Sequence, residues 1–347
     1  SSAASDVYKR QAFRALVKFT DEEIDFICRF VQDEARKMGK EEIEISEMHN
    51  IVEGALERVN PKVAKSYRDY RNYKQDFVQM LDEVYKKSQS IMYIGDKENS
   101  NTDSALVSTK RSLIFNQLNK ELYKKFFLTT EELQACRDGY IYIHDMSARR
   151  DTMNCCLFDV QSVLQGGFEM GNLWYNEPKT LDVAFDVIGD IVLSAASQQY
   201  GGFTVPSADL ILEPYAEKSY KYYIEKYKNI GLDEEKSKEI AMQDIQRDFE
   251  QGFQGWEYKF NSVSSSRGDY PFITVTIGTG TGRFAKMASK TMLEVRKNGQ
   301  GKKGHKKPVL FPKVVFLYDE KLHGEGGPLE DVFEAGIDCS SKTMYPD

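Results

Sequence analysis

The sequence predicts an α/β architecture with parallel strands, and three observations predict it. Residues 272–277, FITVTI, are a β-branched run directly after Pro271. A second such run spans 309–317. Helical patterns precede and separate them. The clearest covers 181–200, where Ala184, Val187, Ile188, Ile191, Val192, Ala195 and Ala196 keep the i, i+3, i+4, i+7 spacing of a buried amphipathic helix. Strands alternating with helices need crossover connections, and crossovers place strands parallel.

Composition bounds the rest. A chain of 347 residues has room for two domains, or one large α/β barrel with an appendage. Apolar residues make up 41%, enough for a sizeable core. A net charge of −7 argues against nucleic acid or an anionic membrane as direct partner. No apolar run reaches transmembrane length, and no secretory leader is visible. The cysteines, at 28, 136, 155, 156 and 339, follow no disulfide framework spacing. A reducing, cytoplasmic compartment is therefore expected.

Residues 1–11, SSAASDVYKRQ, read as a sequencing-library adapter translated in frame and are set aside from fold reasoning. The chain stops at CSSKTMYPD without a polar tail, so the expectation is a gene fragment cut at both ends. Residues 12–77 read as a helical domain. Thr20 is its first N-cap, with Glu23 at the capping-box position, followed by Ile24, Ile27, Cys28 and Val31. Cys28 reads as a small buried hydrophobe. Ser46 is the expected cap of the next helix, with Ile51, Val52, Ala55, Leu56 and Val59 on its face, and Asn60-Pro61 opens a third. Residues 78–110 are expected to link, with a polar boundary at 88–110. From 111 to 347 the α/β part follows. It opens with a helix-rich stretch to Ala135, near which Cys136 reads as structural, and then a turn at Asp138-Gly139 into a predicted strand, YIYIH (140–144). Tyr200-Gly201-Gly202 reads as a glycine stop to the 181–200 helix. Charged helices over 213–256 are expected to pack Tyr215, Tyr220, Tyr223 and Tyr227, and a further helix covers 284–296.

Most chemical motifs reduce to structure. GTGTG (278–282) lacks the Walker ending and the dinucleotide fingerprint, so it reads as a tight strand-to-helix turn. NGQGKKGHKK (298–307) reads as a solvated turn or a phosphate contact. No CxxC or HExxH spacing supports a metal site, and adjacent cysteines chelate one tetrahedral ion poorly. The four histidines lie far apart and there is no nucleophile elbow. His144-Asp145 reads as a hydrogen-bonded structural pair. Asn154-Cys155-Cys156 is different. A thiol on a barrel strand, facing a water-excluding cavity, suits hydrogen-atom donation. The alternative is a low-pKa nucleophile supported by Arg149 and Arg150.

IYIHDMSARRDTMNCCLFDV resembles the anaerobic, glycyl-radical class of ribonucleoside-triphosphate reductase. ENSNTDS (98–104), ASQQYGGFTVP (196–206), QGWEYKFNSVSSSRGDYPF (254–272), LFPKVVF (310–316) and CSSKTMYPD (339–347) agree in order. VAKSYRDYR, in the helical domain, resembles the end of an ATP-cone, without its nucleotide-touching N-terminal strand pair. The resemblance implies the N-terminal half of a ten-stranded α/β barrel preceded by a partial helical ATP-cone. It implies reduction of ribonucleoside triphosphates to deoxyribonucleoside triphosphates, or else a nucleotide-binding regulatory role without catalysis. Cys155 then matches the strand cysteine that donates hydrogen, Cys156 its packed neighbour, and Asn154 adjoins the substrate. Glu177 and Lys179 fall near the family's effector site at a homodimer interface. The resemblance further implies a glycyl radical installed by an activase that uses S-adenosylmethionine and a 4Fe-4S cluster. ATP and dNTP effectors, and formate or a thioredoxin-like reductant, complete the set. The finger-loop cysteine, the zinc site and the glycyl motif of the family lie beyond CSSKTMYPD, and Cys339 is not that cysteine.

Overall fold

The computed structural model describes residues 17–94, 106–149, 152–265 and 268–347. The chain divides between Lys86 and Lys87 into two units.

In the first unit, helix α1 (Asp21–Lys37) starts where its capping box says. Glu23 N–H donates to Thr20 Oγ1 at 3.3 Å and Thr20 N–H to Glu23 Oε2 at 2.8 Å, an arrangement that contributes about 1 kcal/mol. Helix α2 (Ile45–Val59) starts before the expected cap, Ser46. Glu44 is its N-cap, and its N–H donates to Glu47 Oε2 at 3.3 Å. Helix α3 (Pro61–Ile94) begins with proline at its first position, where the missing N–H costs nothing. It runs on past residue 77 and through the expected boundary at 88, because no glycine or proline interrupts it before Gly95. Phe19, Ile24, Ile27, Val52, Leu56, Val63 and Tyr67 form the core of this unit, and half-buried Cys28 packs against them.

In the second unit the helix-rich stretch is two helices, α4 (Val107–Phe127) and α5 (Thr130–Arg137). A second capping box separates them: Thr129 N–H donates to Glu132 Oε2 at 2.7 Å. The predicted strand YIYIH does not form. Gly139 turns with a φ of 79°, Tyr140 N–H returns to Ala135 O at 2.9 Å, and Tyr140 and Tyr142 stand 83% and 86% exposed. Alternation alone makes no strand without a partner to take its hydrogen bonds. His144 and Asp145 do pair, Nδ1 to Oδ2 at 2.5 Å.

The remaining elements are β1 (Cys156–Leu157), α6 (Val160–Leu164), β2 (Phe168–Met170), β3 (Leu173–Tyr175), α7 (Leu181–Gln198), β4 (Phe203–Val205), α8 (Ala208–Asn229), α9 (Glu234–Ser262), β5 (Ile273–Ile277), α10 (Arg283–Asn298), β6 (Lys313–Phe316), α11 (Glu320–His323) and α12 (Glu330–Thr343). One sheet runs β1-β4-β5-β6, parallel throughout, with Cys156 opposite Phe203 and Phe203 opposite Ile273. Strands β2 and β3 form a separate antiparallel hairpin. The core lies between the sheet and α7–α10, where Ile188, Val192, Phe203, Phe249, Ile273, Val275 and Phe284 are buried. Each such side chain contributes about 1.5–3 kcal/mol. Tyr215 and Tyr220 are buried as expected, and Tyr223 donates to Asp248 Oδ2 at 2.8 Å.

The GTGTG turn is held by the acidic face of α8. Asp209 Oδ2 accepts from Gly278 N–H at 3.1 Å, Gly280 N–H at 3.0 Å and Ser289 Oγ at 3.3 Å. One turn on, Glu213 accepts from Ala285 N–H at 3.4 Å, and Glu217 from Arg283 Nη2 at 2.9 Å. Donors that a phosphate would need are already held by carboxylates. Buried His323 closes the same turn, Nε2 to Gly278 O at 2.6 Å. Nε2 must therefore donate; in the neutral ring Nδ1 then accepts from Asp319 N–H at 2.9 Å, with Asp319 O also 2.9 Å from it. The basic loop is an exposed hairpin closed by Gln300 and Lys307. Among the described residues no helix is long and apolar enough to cross a membrane.

Candidate functional site

Strands β1, β4 and β5 start side by side, and the residues just before them form one edge. The ladder extends outward from Cys156: its N–H donates to Gly202 O at 3.0 Å, Gly201 N–H to Asn154 O at 2.6 Å, and Tyr200 N–H to Met153 O at 2.9 Å. Cys155 therefore faces the Gly201-Gly202 peptide across the ladder. Gly202 N–H donates to Cys155 Sγ at 3.3 Å.

Glycine at 201 is a requirement of space. A Cβ there would lie 2.4 Å from Asn154 Oδ1, 2.6 Å from Cys155 Sγ and 2.7 Å from Asn154 O. This corrects the reading of Gly201-Gly202 as a helix stop. Helix α7 ends at Gln198 with Gln199 extended behind it, and the glycines serve the thiol instead. Gly201 also borders a pocket lined by Tyr200, Ser264, Asp269, Tyr270 and Phe272. Lys313 Nζ lies 4.5 Å over the Phe272 ring and brings a cation to the same edge.

The two thiols face different surroundings. Cys156 is half-buried against the core, and its Sγ donates to Gln199 Oε1 at 3.0 Å. Burial pushes its thiol up, with a smaller push from the neighbouring Cys155. Cys155 is exposed, as is Asn154. The enclosed cavity expected around the thiol is not formed by the described residues, because β1 is the sheet's edge strand and pairs only with β4. Arg149 donates to His144 O at 3.2 Å, and Arg150 lies outside the described residues.

Asn154 and Cys155 are thus brought together, whereas Glu177 and Lys179 belong to another neighbourhood. Glu177 follows the β2–β3 hairpin and accepts from Lys218 Nζ at 2.7 Å and Gly166 N–H at 3.2 Å. The Lys218 hydrogen bond, then the Gly166 one, hold its carboxyl below the ordinary range. Lys179 stands exposed just before α7. Gln199 is the residue sequence reasoning missed. Its signal was present: the spacing of the stripe Ile188, Ile191, Val192, Ala196, carried one step past the end of α7, reaches position 199, where the sequence has a polar residue.

A family model described as anaerobic ribonucleoside-triphosphate reductase matches residues 98–347, and one described as ATP cone domain matches residues 9–76. The chain belongs to the anaerobic ribonucleoside-triphosphate reductase family. It is similar to the anaerobic ribonucleoside-triphosphate reductase of Enterobacteria phage T4, 33% identical over 72% of this chain and 41% of the relative. It is similar to that of Haemophilus influenzae, 31% identical over 88% of this chain and 44% of the relative. The chain thus spans less than half the length of these two family members. A crystal structure of the anaerobic ribonucleotide reductase from Thermotoga maritima, with glycerol in the active site, superposes with a TM-score of 0.50 at 16% identity, over 78% of this chain and 49% of that one. That likeness gives the fold: the parallel sheet is part of the family's α/β barrel. The zinc implied by the family has no ligand set among the described residues, where no group of three or more His, Cys, Asp or Glu could hold a metal.

Proposed function

We propose that this chain supplies the strand-cysteine side of the active site in anaerobic reduction of ribonucleoside triphosphates. Cys155 is the hydrogen donor and Asn154 contacts the ribose or phosphate beside it. The observation that carries the reading is the seat of Cys155 Sγ, held at 3.3 Å by Gly202 N–H against a glycine that admits no side chain. A glycyl radical in the complete enzyme supplies the initiating one-electron chemistry. The part played here begins once the 2′-hydroxyl has left as water: the S–H bond of Cys155 breaks, its hydrogen atom forms the new bond at C2′, and formate or a thioredoxin-like protein returns the sulfur to thiol. A neutral S–H suffices for that step, so the reading needs no neighbouring cation. Glu177 and Lys179 contribute to an effector site for ATP or dNTPs at a homodimer interface. An activase using S-adenosylmethionine installs the radical, and the work is cytoplasmic.

The test is Cys155→Ser in the complete reductase. Deoxyribonucleotide formation should disappear while the glycyl radical still accumulates on electron paramagnetic resonance. Normal turnover in that variant would overturn the assignment.

A further inference from the structure

We propose that Gln199 and Cys156 are positioning residues for the Cys155 thiol, acting through the single peptide group that joins Gly201 to Gly202. The proposal rests on the reading of Cys155 given above and adds the device that aims it.

Both ends of that peptide are in use. Its N–H, on Gly202, donates to Cys155 Sγ at 3.3 Å. Its carbonyl, on Gly201, accepts from Gln199 Nε2 at 3.2 Å. A peptide group is planar, so fixing the direction of its C=O fixes the direction of its N–H. The ladder bonds of Gly201 N–H and Gly202 O hold the peptides on either side, and the Gln199 amide is the side-chain clamp on the peptide between them.

The clamp is itself oriented. Gln199 is 3% exposed, and its amide could sit either way round. Cys156 Sγ donates to Gln199 Oε1 at 3.0 Å. Flipping the amide would set two oxygens, Oε1 and Gly201 O, against each other and leave the buried NH2 facing a weak acceptor. Burial keeps the Cys156 thiol protonated and therefore able to donate. The order runs Cys156 S–H to Gln199 Oε1, Gln199 Nε2 to Gly201 O, and Gly202 N–H to Cys155 Sγ. With its sulfur engaged as acceptor, the S–H of Cys155 is left to point elsewhere than at the Gly202 N–H. Packing alone does not describe Cys156: it is the far end of a three-bond relay.

The experiment uses the complete reductase carrying this segment, with Gln199→Leu, Cys156→Ala and Cys156→Ser. Two quantities are read: steady-state turnover, and the iodoacetamide alkylation rate of Cys155 in the non-activated enzyme, resolved residue by residue by mass spectrometry. For Gln199→Leu, kcat should fall roughly tenfold with KM for the nucleotide within about twofold, because orientation rather than binding is lost. Cys155 alkylation should slow about threefold, because its sulfur is no longer held in place by the Gly202 N–H. Cys156→Ala should show the same losses and Cys156→Ser should recover most of them, since a hydroxyl still donates. A Cys156 that only packs gives the reverse order, with Ala tolerated and Ser worse, and that order overturns the proposal. So does Gln199→Leu with wild-type turnover and alkylation. Should Gln199→Leu not fold, the Ser/Ala pair decides alone. Should Cys155→Ser turn over normally, the functional reading fails, while the alkylation rates still test the relay.

Discussion

Replacing Gly201 by alanine places a methyl group where Asn154 and Cys155 already sit. The new Cβ would be 2.6 Å from Cys155 Sγ and 2.7 Å from Asn154 O, and ordinary contact begins near 3.4 Å. Asn154 Oδ1, at 2.4 Å, can rotate away, but the backbone oxygen cannot. The sulfur must then retreat by about 0.8 Å, or the β1–β4 ladder must open, and overpacking of this kind costs about 1–3 kcal/mol. In a unit of this size that lowers Tm by roughly 2–4 °C per kcal/mol. Catalysis should suffer more, since a displacement approaching 1 Å at a reacting group costs up to about 100-fold. The assays are scanning calorimetry and anaerobic deoxyribonucleotide formation by the complete reductase carrying Gly201→Ala. Expected are a Tm lower by several degrees and a kcat reduced between about 10- and 100-fold. A variant with unchanged Tm and turnover within about twofold would refute the claim that close approach dictates this glycine.

Asp209→Ala removes the acceptor shared by Gly278 N–H, Gly280 N–H and Ser289 Oγ. Each buried donor left unmade costs about 1–3 kcal/mol, so urea unfolding should show a loss of several kcal/mol; a loss under about 0.5 kcal/mol would remove Asp209 as anchor of the turn. Tyr215 is pushed up to about 12 by burial, with Glu177's charge adding to it. A folded value above the ordinary 10 means its stabilisation is complete below pH 10 and is lost as pH rises from 10 toward 12. Over that window the wild type should lose up to about 2–3 kcal/mol more than Tyr215→Phe. Urea titrations at stepped pH check this, and equal slopes for the two proteins would contradict it.

Much of the fold was legible because local pattern and tertiary burial agree. The stripe on 181–198 is helical and buried, the run 273–277 alternates as a central strand, and Thr20 caps by chemistry confined to four residues. YIYIH carries an equally regular alternation and yet forms no strand, since a strand is completed by a neighbour that the local sequence does not name. Ser46 failed as a cap because Glu44 and Glu47 form a competing pair two residues earlier.

By itself the sequence determined the α/β class, the N-terminal helices, the thiol-bearing stretch and the family it resembles, all properties of short segments and their order. Where the two thiols sit and what they touch came from tertiary structure. Parallel pairing of β1 with β4 brings Cys156 to Gln199 across 43 residues of chain, and the same register puts Gly202 N–H on Cys155 Sγ. Such contacts depend on which strands lie side by side and in what register. Those are decided by burying α7 and β4 together, and no spacing along the chain records them.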